Sequence, residues 1–157
     1  MNKINLSVIA AVFAAILFLS SCGKSTTGSN AKAFNFTAGG TSYSYTNGTG
    51  MIGHTSSNEL QFVMSDNNNN TMSFAGGTNA SGNYPFSIAT SLTWTVNSKT
   101  YTTSGAPSGN PSGNIVANIT GATATATVNT ILYNITNPSD SVILTNATYS
   151  GSYLSTY

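Results

Sequence analysis

From Phe34 onward, large apolar residues recur at every second position in short runs, and turn-forming residues separate the runs. Phe34 and Phe36 fall on one side of "AFNFTA" and Asn35 and Thr37 on the other. The same alternation places Tyr43 and Tyr45 together in "TSYSYT", Leu60, Phe62 and Met64 in "ELQFVMS", and Met72 and Phe74 in "TMSFAGG". It continues with Tyr84, Phe86 and Ile88 in "NYPFSIA" and Leu92, Trp94 and Val96 in "LTWTV". A period of two is that of a strand with one buried face, and it excludes amphipathic helices with their period of 3.6.

The separators carry their own geometry. Ala38–Thr41 ("AGGT") and Asn97–Ser98 are hairpin turns, because glycine and asparagine accept the positive φ that tight turns need. Asp66–Asn70 ("DNNNN") is turn material, and Ala106–Gly113 ("APSGNPSG") is a loop. Pro85 has no N–H for a ladder, so its strand is an edge or begins there. Three further strands are expected in "NIVANIT", "ATATATVNTILY" and "DSVILTNATYSGSY"; small Ala alternating with Thr suits a crowded face with little room. The pattern predicts an all-β domain over 33–157, a single antiparallel β-sandwich or β-barrel of about nine to eleven short strands after an N-terminal signal segment.

Composition narrows the function classes. Only 4% of the 157 residues are charged, against about 25% in an average soluble domain. Ser, Thr and Asn supply the polarity, at roughly two-fifths of all residues. Beyond residue 21, Lys24, Lys32 and Lys99 balance Glu59, Asp66 and Asp140. Nothing basic marks a nucleic-acid footprint, so no nucleic-acid partner is expected.

Residues 1–21 read as an export signal. Lys3 precedes the apolar stretch Leu6–Leu19, which is too short for a comfortable bilayer crossing. "LSSC", Leu19–Cys22, resembles the bacterial lipobox, which implies cleavage before Cys22, palmitate-type acylation at that residue and anchoring in a membrane by several chains. An ordinary secreted protein with a chance cysteine and a short transmembrane anchor are the alternatives. Cys22 is the only cysteine, so it forms no internal disulfide. Residues 22–32 are then the lipidated cysteine and a flexible Gly/Ser/Thr tether. Gly23 follows the cysteine in place of an Asp, and no acidic cluster comes after it. That favours a bacterial outer-membrane anchor with the domain on the periplasmic side over the cell surface.

"FNFTAGGTSYSYT", "NYPFSI" and "ATVNTILYNITNPSDSVILTNATYSGSY" together resemble small Bacteroidota-type lipoproteins of unknown function. Those proteins carry an opening hairpin after the anchor and a T-N-G-T-F-like motif near the end, which here reads Thr145-Asn146-Ala147-Thr148-Tyr149. The resemblance implies an all-β fold and no activity. Asp140-Ser141-Val142 also resembles the short O-glycosylation acceptor of Bacteroidota, with Ser141 as the modified residue.

Chemistry-bearing residues are scarce. One His, two Asp and one Glu beyond the signal are too few for a zinc site or an evident catalytic set, so no catalytic residue, metal site or cofactor is expected. His54 reads as an exposed loop residue, and "DNNNN" as a polar turn in preference to a calcium loop, since it lacks the glycine and closing glutamate. Tyr43, Tyr45, Trp94, Tyr101, Tyr149 and Tyr153 alternate with hydroxyl or amide residues. Rings beside hydroxyls and amides suit stacking on a sugar, and large rings equally suit a β core. The expectation is a non-catalytic, lipid-anchored envelope module for structure or protein interaction. The alternative is a glycan- or small-ligand-binding lipoprotein using exposed tyrosines, with Tyr43, Tyr45, Trp94 and Tyr101 as candidates.

Overall fold

The computed structural model describes residues 31–156, so Cys22 and the proposed signal lie outside the described residues. The strands are β1 (Ala33–Ala38), β2 (Thr41–Tyr45), β3 (Asn47–His54), β4 (Glu59–Ser65), β5 (Thr71–Gly76) and β6 (Gly82–Pro85). They continue as β7 (Ser91–Val96), β8 (Lys99–Thr102), β9 (Gly113–Thr120), β10 (Thr123–Asn134) and β11 (Ser141–Thr156). They form one sheet of 11 strands in the order β2-β1-β11-β3-β4-β5-β7-β8-β10-β9-β6, with β10 also paired to β11. The described residues form an all-β domain, as the alternation predicts. The extra pairing makes a closed circuit through β11, β3, β4, β5, β7, β8 and β10, with β1–β2 and β9–β6 attached to it.

The sheet is mixed, whereas the sequence predicts only antiparallel pairs. Tyr153–Thr156 of β11 run parallel to Met51–His54 of β3. The strands are not uniformly short either: β10 has 12 residues and β11 has 16. A strand of that length pairs with β10 and β1 on its two edges over Leu144–Ser150 and then with β3 from Tyr153 onward, which is how the circuit closes.

Aromatic contacts between strands that are not neighbours show the sheet folding back over one core. Phe34 of β1 lies 5.3 Å from Phe62 of β4, and Phe62 lies 5.7 Å from Tyr149 of β11. Phe36 of β1 meets Trp94 of β7 edge-on at 5.5 Å. Each fully buried ring of this kind contributes about 1.5–3 kcal/mol. In β10 the small residues face inward: Ala126 sits opposite Tyr149 on one neighbour and Ala117 on the other, leaving space for the Tyr149 ring.

Both predicted hairpins form. Gly39 and Gly40 join β1 to β2, and Asn97 and Ser98 join β7 to β8, all with the positive φ that a type I′ turn requires. β6 ends at Pro85 and pairs only with β9, an edge strand as expected. The alignment of Ile88 with Tyr84 and Phe86 fails. Ser87 accepts from the backbone of Ala89 and Thr90 through its side chain, and this turn puts Ile88 at 85% exposure.

β3 is the strand the alternation misses. Gly48 and Gly50 interrupt the pattern at a β-bulge and take positive φ. At Gly48 the bulge brings the backbone so close to the Val63 carbonyl that no Cβ fits. A second bulge in β11 holds Asn146 at φ 51°, a conformation asparagine tolerates. The T-N-A-T-Y stretch is therefore the place where β11 changes register.

Candidate functional site

The β1–β2 hairpin lies across the β7–β8 hairpin, and a cleft of about 350 Å³ opens between them. Tyr43 comes from β2, Trp94 and Val96 from β7, and Lys99 and Tyr101 from β8. Alternation places each ring on the inner face of its strand, and the two type I′ turns bring Thr41 and Asn97 to the rim. Tyr43 stacks on Phe36 at 5.0 Å and meets Trp94 at 5.1 Å; Tyr101 meets Trp94 at 5.7 Å.

Beneath these rings, Trp94 donates its indole N–H to the Tyr45 hydroxyl at 2.8 Å. Both residues are buried, at 3% and 1% exposure. Burial pushes the Tyr45 phenol up to about 12, with the Trp94 donation pulling it partly back. This bond ties the two hairpins together across the core.

A polar group stands at the side of the cleft. Asp140 Oδ2 accepts from the Lys99 ammonium, the Tyr101 hydroxyl and the Asn134 amide, each at 3.1 Å. The Lys99 hydrogen bond, chiefly, holds the Asp140 carboxyl below its usual range, and the same bond raises Lys99. Both groups face solvent, so the ion pair positions the β8 end of the rim and adds little stability.

The structure thus assembles Tyr43, Trp94 and Tyr101 along one cleft, with Tyr45 directly behind them. It does not place them as exposed rings, because Tyr45, Trp94 and Tyr101 are core residues and only Tyr43 is half-buried. Nor are the outer faces of the Tyr-rich strands aromatic. β2 turns Ser42 and Ser44 outward, and the Tyr149 ring is buried, its hydroxyl donating to the Ser152 carbonyl and accepting from the Met51 N–H. Tyr153 is half-buried and bonds the Asn79 side chain.

His54 is not a loop residue. It ends β3 half-buried, with Nδ1 3.0 Å from the Thr156 hydroxyl, a place created by the parallel pairing. Asp66 is consumed by its turn: Oδ1 accepts from the backbone N–H groups of Asn68 and Asn70, and Oδ2 from the Asn70 amide. Burial works against these bonds, and their sum still holds the carboxyl below its usual value. No group of three His, Cys, Asp or Glu residues able to hold a metal occurs among the described residues. Ser141 opens β11 on the exposed surface, one residue beyond the bonded Asp140.

Sequence reasoning missed Val96, Lys99 and Asn97 as cleft residues and Asp140 as the group that organises its edge. The hairpin register carries a signal, since Lys99 lies two positions before Tyr101 on one strand. The long-range approach of Asp140 carries none. Comparison with protein-family models, curated proteins and solved structures finds no match.

Proposed function

We propose that this chain is a non-catalytic β module of the bacterial cell envelope, held by lipid at Cys22 on the periplasmic face of the outer membrane. It serves as a protein-interaction element through the cleft between the two hairpins. The observation that carries the reading is the pairing of a rigid aromatic floor with an open polar rim. Trp94 and Tyr101 are fixed by packing and hydrogen bonds, and Tyr43 keeps part of its ring accessible beside Thr41, Asn97 and Lys99. A partner gains apolar contact there without ordering the floor, which lowers the entropic cost of association. The carboxylates and His54 are each engaged with residues of their own neighbourhood.

Half-exposed Tyr43 also favours a second reading, a glycan seated on that ring with Asn97 and Lys99 reading its hydroxyls. A labelling and melting experiment on the full-length protein separates these possibilities. The proposal predicts incorporation of a fatty-acid analogue, loss of label and of membrane retention in Cys22→Ala, and an unchanged melt with glycans and peptidoglycan fragments. Membrane retention of an unlabelled Cys22→Ala protein would remove the anchor. A glycan at about 100 times its Kd adds roughly 2.7 kcal/mol of stability, and that shift would move the assignment to the second reading.

A further inference from the structure

The two ends of the strand order differ. β6 is four residues long and closes with Pro85, so its outer edge offers little to a passing strand. β2 has five residues, Thr41–Tyr45, with no proline and no charge. In a two-residue hairpin the pairs Ala38–Thr41, Phe36–Tyr43 and Phe34–Tyr45 exchange their backbone hydrogen bonds. The N–H and C=O groups of Ser42 and Ser44 therefore point away from β1. Among the described residues no group bonds them, and both residues are exposed.

We infer that the β2 edge pairs with the β2 edge of a second copy of this chain, antiparallel and two-fold about Tyr43. The inference rests on the hairpin cleft being the interaction surface. Three features select a second copy. The edge carries no charge, so two identical edges meet without repulsion, and its groups are self-complementary: Ser42 of one copy exchanges both hydrogen bonds with Ser44 of the other. Pairing β2 with β2 uses up that edge in both copies, and the short, proline-ended β6 edges that remain disfavour growth into a filament. Tyr43 meets its own symmetry mate on the inner face, so each half-exposed ring gains a cross-strand aromatic partner over the mouth of the cleft. An interface built on so few residues is small against the 1,200–2,000 Å² of a typical stable complex. Confinement to a membrane by the proposed Cys22 anchor would raise the effective concentration in its favour.

Register-specific disulfide formation tests the pairing. Two full-length copies with different tags, one Ser42→Cys and the other Ser44→Cys, are expressed together and treated in their membranes with a copper–phenanthroline oxidant. In the inferred register the two cysteines face each other at a Cα separation of about 5.5 Å, within disulfide range. Two Ser42→Cys residues stand about 8.5 Å apart, outside it. The expected result is a mixed-tag disulfide at least tenfold above either same-position product, and above Thr125→Cys on the outer face of β10. Absence of the mixed product, or equal yields for all pairs, would overturn the β2 pairing. Either failure concerns the edge alone and would leave glycan and partner-protein tests of the cleft to be read separately.

Discussion

Replacing Tyr45 by Phe removes one oxygen and nothing else from the core. The Trp94 indole N–H then stays buried with its acceptor gone. An orphaned buried donor costs about 1–3 kcal/mol. For a domain of this size each kcal/mol lowers Tm by about 4 °C, so a drop of roughly 4–12 °C is expected. Trp94→Phe removes the donor instead, and the double variant loses the bond only once. Its cost should fall short of the sum of the single costs by about 1 kcal/mol or more. The alkaline limb provides an independent reading. Folding raises the Tyr45 pKa from 10.0 to about 12 through burial, so the unfolded chain ionises first. The stability linked to this group is complete below pH 10 and is lost between pH 10 and 12, at about 1.4 kcal/mol per pH unit. Tyr45→Phe lacks that loss. The gap between the native protein and the variant should therefore narrow by about 1 kcal/mol at pH 11. Equal stability of the two at pH 7 would refute the tie between the hairpins, and parallel stability curves from pH 9 to 11 would refute the burial of the Tyr45 phenol.

Other positions test other parts of the fold. Gly48→Ala forces a Cβ against the Val63 carbonyl at a positive φ, and thermal melting should show a loss of about 3 kcal/mol or more. Ala126→Leu overpacks the space beside Tyr149 and should cost about 1–3 kcal/mol, whereas Thr125→Leu on the solvent face should stay within about 0.5 kcal/mol. Asp66→Ala removes three acceptor bonds from the β4–β5 turn and should cost about 1–2 kcal/mol by chemical denaturation at pH 7. Because folding lowers the Asp66 pKa, its contribution is present above the unfolded value and disappears as pH falls through the folded one. The variant should accordingly show a flatter acid limb.

What could be read from the chain was local. The β1–β2 and β7–β8 hairpins were legible because Gly39, Gly40 and Asn97 tolerate positive φ between alternating runs. The alternation in β10 was legible as a strand with one crowded face, and the structure shows that Ala124, Ala126 and Val128 are the inward set. β3 was hidden because Gly48 and Gly50 break the alternation that marks a strand. The parallel pairing of β3 with β11 was hidden for a different reason, as it joins residues about a hundred positions apart through backbone groups that every residue carries. The cleft stands between these cases. Its rings were identifiable one by one, but only the crossing of Phe36 with Trp94 reveals that Tyr43 and Tyr101 share a site, and only the fold brings Asp140 to Lys99 and Tyr101. Ser and Thr on the outer faces also account for the low charge, since strands with one solvated face need polarity there but not ionisation.

The most direct test of the proposed interaction surface is to place a photoreactive residue at Thr41, on the rim of the cleft, and at Thr125, on the outer face of β10, and to irradiate whole cells that express the full-length protein. Mass spectrometry of the products should find polypeptide adducts from Thr41, with this chain itself prominent among them, and only background from Thr125. Equal labelling from both positions, or adducts at Thr41 that contain glycan and no polypeptide, would contradict the account.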